Sequence, residues 1–177
     1  DSVAWCWKAG DEESGNFDGT VITKIRANPD AGFSIVQWDG PWRNDGRAGH
    51  GLTQSPDFVI YLGYTGSLIG AWHSAPLPAA GYFYLNTNLQ WQTNSDILNS
   101  AGMTNTTVGI GNFSNGATNT AYVWHSVPGY SAFGSYTGNG NADGPFIETG
   151  FKPAFVMTKI TDTIGDWQIR DSTRSPN

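Results

Sequence analysis

Charge is what this 177-residue sequence has least of: Asp, Glu, Lys and Arg make up 14% of it, against about a quarter in an ordinary globular domain. Fifteen acids outnumber nine bases for a net charge of −6, and the bases form no cluster. This excludes the basic face on which nucleic acids and anionic membranes are held. Cysteine occurs once, at Cys6, so no disulfide forms within the chain and burial must hold the core. Cys6 stands between Trp5 and Trp7 in an alternating run and is read as a buried thiol. Lys8, two residues on, is the cationic neighbour a reactive thiol would use. No run of about 18 apolar residues is present, so no helix is expected to cross a bilayer. No leader segment is expected ahead of the first strand-like run, and a pattern that opens in mid-strand and stops at Pro176-Asn177 is expected to belong to a longer polypeptide. Nor does any convincing segment carry the periodicity of an amphipathic helix, which argues against a parallel α/β fold.

What is present is aromatic and glycine-rich: 14% Phe, Trp and Tyr, with 8 Trp and 23 Gly. Short alternating segments punctuated by Gly and Asn read as strands and turns. Strands are expected at Val3–Trp7, Thr20–Arg26, Gly32–Trp38, Asp57–Tyr61, Ser67–Trp72, Tyr82–Leu85, Thr107–Phe113 and Thr120–His125. The segments 57–61 and 67–72 should form one hairpin. The segments 107–113 and 120–125, joined through Asn115-Gly116, should form another. Residues 9–19 and 40–51 read as Gly-rich loops, and Ser95 could cap one helical turn over 95–100. The fold class that follows is all-β: an antiparallel sandwich of concanavalin-like or jelly-roll type with little or no helix, its tryptophans mostly in the core.

The chain also repeats itself. Phe33-Ser34-Ile35 is answered by Ser131-Ala132-Phe133, Pro56–Ile60 by Pro153–Met157, and Gly70-Ala71-Trp72 by Gly165-Asp166-Trp167. The spacings are 98 residues from Gly40 to Gly138, 97 from Pro56 to Pro153 and 95 from Trp72 to Trp167. A drift this small indicates tandem copies of one β-module with small indels in loops. Val3–Trp7 likewise matches Ala121–His125, each as the last strand of a module. The expected organisation is the closing strand of a preceding module plus a loop and strand over 1–31, a complete module over 32–128, and the first half of a second copy over 129–177.

The closing third carries Ser135-Tyr136-Thr137-Gly138-Asn139-Gly140, then Asp143-Gly144-Pro145, Gly150-Phe151-Lys152-Pro153, Asp166-Trp167, and Asp171 with Arg174. This run resembles a module repeated in large structural proteins of marine bacteriophages, the tail-fibre and virion structural proteins. Val3–Gly10 is similar to the strand that closes such a module. The resemblance covers most of the chain, loosely in the middle and closely at the end. It implies a concanavalin-like or fibre-type domain with a structural or host-recognition role, in a virion or outside the cell. It further implies partners that are copies of itself, as homotrimers in many fibres, and other virion proteins. It supplies no catalytic residues. A disulfide-free chain suits assembly in a reducing cytoplasm.

The candidate chemistry is sparse. His73 and His125 each follow a Trp and precede a Ser at a strand end, which reads as structural; His50, in its Gly-rich loop, is the freest of the three histidines. No G-x-S-x-G places a serine on an elbow. Glycoside hydrolysis needs two carboxylates across a cleft, yet the acids sit in turns and Glu148 stands alone in a strand-like run. Asn139, Asn141 and Asp143 space oxygens like the start of a calcium loop, but Gly150 occupies the twelfth position where Glu belongs; a tight turn is the simpler reading. No cofactor is expected. For carbohydrate, Trp42 with Arg43, Asn44 and Asp45 is the first candidate, and Trp91 among Gln90, Gln92 and Asn94 the second. The functional expectation is a non-enzymatic virion or fibre module that attaches to a host surface glycan. The alternative is an extracellular carbohydrate-binding or carbohydrate-cleaving sandwich.

Overall fold

The computed structural model describes residues 4, 6–40, 45–63, 69–74, 81–93, 102–111 and 118–173. Its elements are almost all strands: β1 (Ser14–Asn16), β2 (Thr23–Asn28), β3 (Phe33–Trp38), β4 (Gly46–Gly49), β5 (Phe58–Gly63), β6 (Ile69–His73), β7 (Gly81–Tyr84), β8 (Gln92–Thr93), β9 (Thr107–Ile110), β10 (Asn119–Trp124), β11 (Phe155–Thr158) and β12 (Gln168–Asp171). A 3-10 turn, Pro29–Ala31, links β2 to β3. Asn28 caps it, and Gly32 closes it at φ +61°. A side chain at Gly32 would strike the His125 carbonyl, so both conformation and space require glycine there.

Eight strands form one antiparallel sheet in the order β1-β2-β3-β10-β5-β6-β7-β8. Alternation decides the faces. On β3, β10 and β5 the inward residues are Val36 and Trp38, Ala121 and Val123, and Val59 and Tyr61, all buried. The register sets Ala121 opposite both Val36 and Tyr61. A second, two-stranded sheet of β4 and β9 covers this face, contributing Ala48, Val108 and Ile110 to the same core. The expected all-β antiparallel class, with sandwich-like layering, is what the chain adopts.

The outward face begins with a cross-strand row of aromatics, Phe33, Trp124 and Phe58, set opposite one another by the pairing. The Trp124 ring stacks 4.9 Å from Phe33 and lies 5.7 Å from each of Phe58 and Trp7. Burying such rings contributes a few kcal/mol each. The closing third of the chain lies over this face. Phe133 stacks on Phe58 at 5.7 Å, and Trp167 meets Phe83 at 5.6 Å.

Several expectations need correction. Thr107–Phe113 and Thr120–His125 are not a hairpin: β9 pairs with β4 in the small sheet, whereas β10 inserts between β3 and β5. Turn chemistry at Asn115-Gly116 is local, but the strands follow the larger apolar surface each can bury. The loop read at 40–51 contains β4, whose Gly-Arg-Ala-Gly carries no alternation signal. Three of the six described tryptophans are buried, Trp38, Trp72 and Trp124. Cys6 is exposed, and Ala4, Cys6 and Trp7 lie outside any strand. Each of the two repeat segments contains a hairpin, but the registers differ: Phe58 lies opposite His73, 15 residues on, whereas Phe155 lies opposite Asp171, 16 residues on. The copy of β3 does not form a strand. Residues 132–149 run without ladder pairing, because no neighbours flank them as β2 and β10 flank β3. The helical turn expected over 95–100 lies outside the described residues.

Candidate functional site

Among the expected carbohydrate residues, Trp42, Arg43 and Asn44 lie outside the described residues, and Asp45 is an exposed residue just before β4. Trp91 is half-buried. Its amide donates to the Thr161 carbonyl at 3.3 Å, and the neighbouring Gln92 amide turns back to the Gln90 and Trp91 carbonyls. Asn139, Asn141 and Asp143 form an exposed double turn. The side-chain oxygen of Asn139 accepts from the Asn141 amide at 3.0 Å, and that of Asn141 from the Asp143 amide at 3.2 Å. These oxygens serve the backbone in Asx turns, with Gly140 and Gly144 at positive φ. Glu148 lies in an exposed irregular segment, not a strand, its carboxylate accepting from the Gly150 amide.

His50 is the opposite of free: it is fully buried. The Leu52 amide donates to its Nδ1 at 3.0 Å, so the proton sits on Nε2, 3.2 Å from the Thr104 carbonyl. Burial pushes its pKa down, opposed by the bond to Thr104, and the ring acts as a neutral brace between the loops flanking β4 and β9. The strand-end histidines stand beside Asp57. That carboxylate accepts from the Ser126 amide at 2.7 Å and from the Ser74 hydroxyl at 3.3 Å. Asp57 thereby ties together the ends of β5, β6 and β10. Burial lowers the pKa of His73, opposed by the Asp57 charge.

The concavity with free polar groups is elsewhere. Tyr84 ends β7 in a turn over Leu85–Asn88, and this turn is stitched to the loop between β11 and β12. Lys159 is the staple: its ammonium donates to the carbonyls of Gly165 at 2.6 Å and of Asn88 and Ile160 at 3.3 Å, and lies 5.8 Å above the Phe83 ring. Desolvation lowers its pKa, opposed by the charge of Asp166. The Gly165 amide adds a bond to Asn88 at 2.9 Å. The Trp167 indole N–H donates to the Tyr84 carbonyl at 3.0 Å, which fixes the plane of its ring.

Between the two loops lies a shallow cleft of about 510 Å³ lined by Leu85, Asn86, Thr87, Asn88, Asp166 and Trp167. Asn86, Asn88 and Asp166 are exposed. Their side chains make no hydrogen bond among the described residues. A half-buried indole of fixed orientation beside two free amides and one carboxylate suits a ligand with an apolar face and a rim of hydroxyls. The cleft holds a single carboxylate, so it lacks the paired acids of a glycosidase. Sequence reasoning passed over these residues, although one signal was available. Trp167 repeats Trp72, but where Trp72 follows the fully buried Ala71, Trp167 follows the exposed Asp166. Trp72 lies within β6, whereas Trp167 precedes β12 and lines the cleft.

The layered antiparallel fold and this inter-loop cleft define an all-β module with a small polar recess. Over its whole length, residues 1–177, the chain matches the model of a domain family of unknown function, DUF7483, and it belongs to that family. No curated protein and no solved structure matches it.

Proposed function

We propose that this chain is a non-enzymatic β-module of a virion surface or tail-fibre protein, and that it presents a recess for a host glycan. The observation that carries the structural half is the duplicated hairpin. The pairs β5–β6 and β11–β12 are both antiparallel hairpins, offset by one residue in register, and Phe133 of the closing third stacks on Phe58 of the first hairpin. Repeated β-units low in charge with polar surfaces are what a fibre stacks into a rigid array. The resemblance of the closing third to phage structural modules points the same way. Copies of itself and other virion proteins are then its partners. Mass spectrometry of purified phage particles tests this: peptides of the chain should be recovered with the particles. Recovery from particle-free medium alone overturns it.

The cleft supports the second half of this reading, and also supports a free extracellular carbohydrate-binding module as the alternative. Saturable binding on a glycan array, lost about tenfold or more in Trp167→Ala, is the expected result, since stacking against one aromatic contributes about 0.5–1.5 kcal/mol beyond its buried area. Binding unaffected by Trp167→Ala removes the cleft from the proposal. Abolition by Trp91→Ala instead would return the site to Trp91.

A further inference from the structure

The outer face of the large sheet holds a second concavity, away from the Trp167 cleft. The closing third lies over the row Phe33, Trp124 and Phe58. Beyond that row the face opens into a groove of about 300 Å³, to which the closing third contributes no lining residue. Strand pairing sets the groove in two cross-strand rows. Arg26, Ile35 and Tyr122 stand opposite one another in the first, and Lys24, Gln37 and Thr120 in the second. Glu13, just before β1, lines the groove beside Lys24.

Ile35 and Tyr122 are half-buried and give the groove an apolar floor. The Tyr122 ring is braced by Phe33 at 6.3 Å and Trp124 at 6.2 Å. Gln37 donates one amide proton to the Thr120 hydroxyl at 3.4 Å, which leaves its side-chain carbonyl and the Thr120 hydroxyl proton for a ligand. Arg26 is exposed, and its guanidinium donates to the Asp11 carbonyl at 2.8 Å. That bond orients the group without neutralising it. Arg26 makes no ion pair among the described residues, and most of its donors remain. Lys24 meets Glu13 at 3.5 Å, but their side chains are 69% and 43% exposed, and such a pair contributes little. Two cations thus face one carboxylate, a local positive balance in a chain of net charge −6. Two bases are too few for a run of phosphates, yet an arginine fork matches a single carboxylate.

We propose that this groove binds a carboxylated sugar, a uronate unit of an acidic polysaccharide. Arg26 takes the carboxylate, with Lys24 adding its charge. The apolar face of the sugar ring lies on Ile35 and Tyr122, and its hydroxyls meet Gln37 and Thr120. An acidic peptide would use the cations, but it lacks the ring of hydroxyls that the Gln37–Thr120 pair beside an apolar floor would match. The groove shares no lining residue with the Trp167 cleft, so the proposal is independent of the reading of that cleft and of the virion role.

Calorimetric titration with trigalacturonate tests it. Binding should be saturable and should weaken as salt rises. The methyl ester of the same trimer keeps the rings and removes the charge, and should bind about tenfold more weakly. Arg26→Gln should lose about tenfold or more. Glu13→Gln removes the competing carboxylate and should tighten binding about twofold to fivefold, a gain that misfolding cannot produce. No binding of trigalacturonate, equal binding of the ester, or no tightening in Glu13→Gln overturns the proposal. Binding abolished by Trp167→Ala with Arg26→Gln unaffected moves the sugar to the cleft and overturns the groove. A triglutamate peptide bound as tightly as the trimer overturns the choice of a saccharide.

Discussion

The buried Tyr61 hydroxyl donates to the Gly109 carbonyl at 2.8 Å, bonding the middle of the large sheet to the small sheet that covers it. Its burial pushes the phenol pKa upward, beyond the range in which it titrates. Tyr61→Phe keeps the ring and removes the donor. The Gly109 carbonyl then loses this partner between the layers. The expected loss is about 1–2 kcal/mol of unfolding free energy, read from urea denaturation at unchanged slope. A change below about 0.3 kcal/mol would show that this bond does not join the layers.

Acid should loosen the fold through its buried imidazoles. Burial lowers the pKa of His50 and of His73 below the ordinary value of 6.5. Below pH 6.5 the unfolded chain therefore binds protons that the folded chain resists, and stability falls as pH drops through that window. Above 6.5 both states hold neutral rings and the contribution is fully present. His50→Gln should lower stability at pH 7 yet flatten the slope between pH 6.5 and 5. Thermal unfolding at steps of pH measures both. An unchanged slope would mean that His50 does not couple protonation to folding.

Lys159 holds the cleft rather than the core. Its ammonium binds three carbonyls across two loops, while its stem lies at the sheet's outer surface near Phe83. Lys159→Met preserves most of the stem and deletes the donors. Global stability should change by less than about 1 kcal/mol, while amides of 85–91 and 160–166 exchange about tenfold faster. Proteolytic nicking at either loop reports the same opening. Unchanged exchange would place the rigidity of the cleft in the Gly165–Asn88 and Trp167–Tyr84 bonds.

The parts legible in the sequence were those with local causes. The strands β2, β3, β5, β6, β7 and β10 announce themselves by alternation. β4 carried no signal, since Gly-Arg-Ala-Gly has too few side chains to alternate. His50 read as the freest histidine because glycines surround it, yet those glycines let the chain pack closely enough to bury it. Cys6 read as core because two indoles flank it, yet burial needs a covering layer as well as an apolar residue. The cleft was invisible as a unit, its halves standing 78 residues apart at Asn88 and Asp166. Each half alone is an ordinary polar loop.

By itself the sequence determined that this chain is β-rich, antiparallel and short of charge, since period, turn residues and composition act over a few neighbours at a time. Only the tertiary structure decided that β10 runs between β3 and β5, that the second hairpin lies on the first unit, and that Asp166 and Trp167 face Asn86 and Asn88. Those outcomes depend on which distant strands bury the most apolar surface together, and no local pattern encodes that choice.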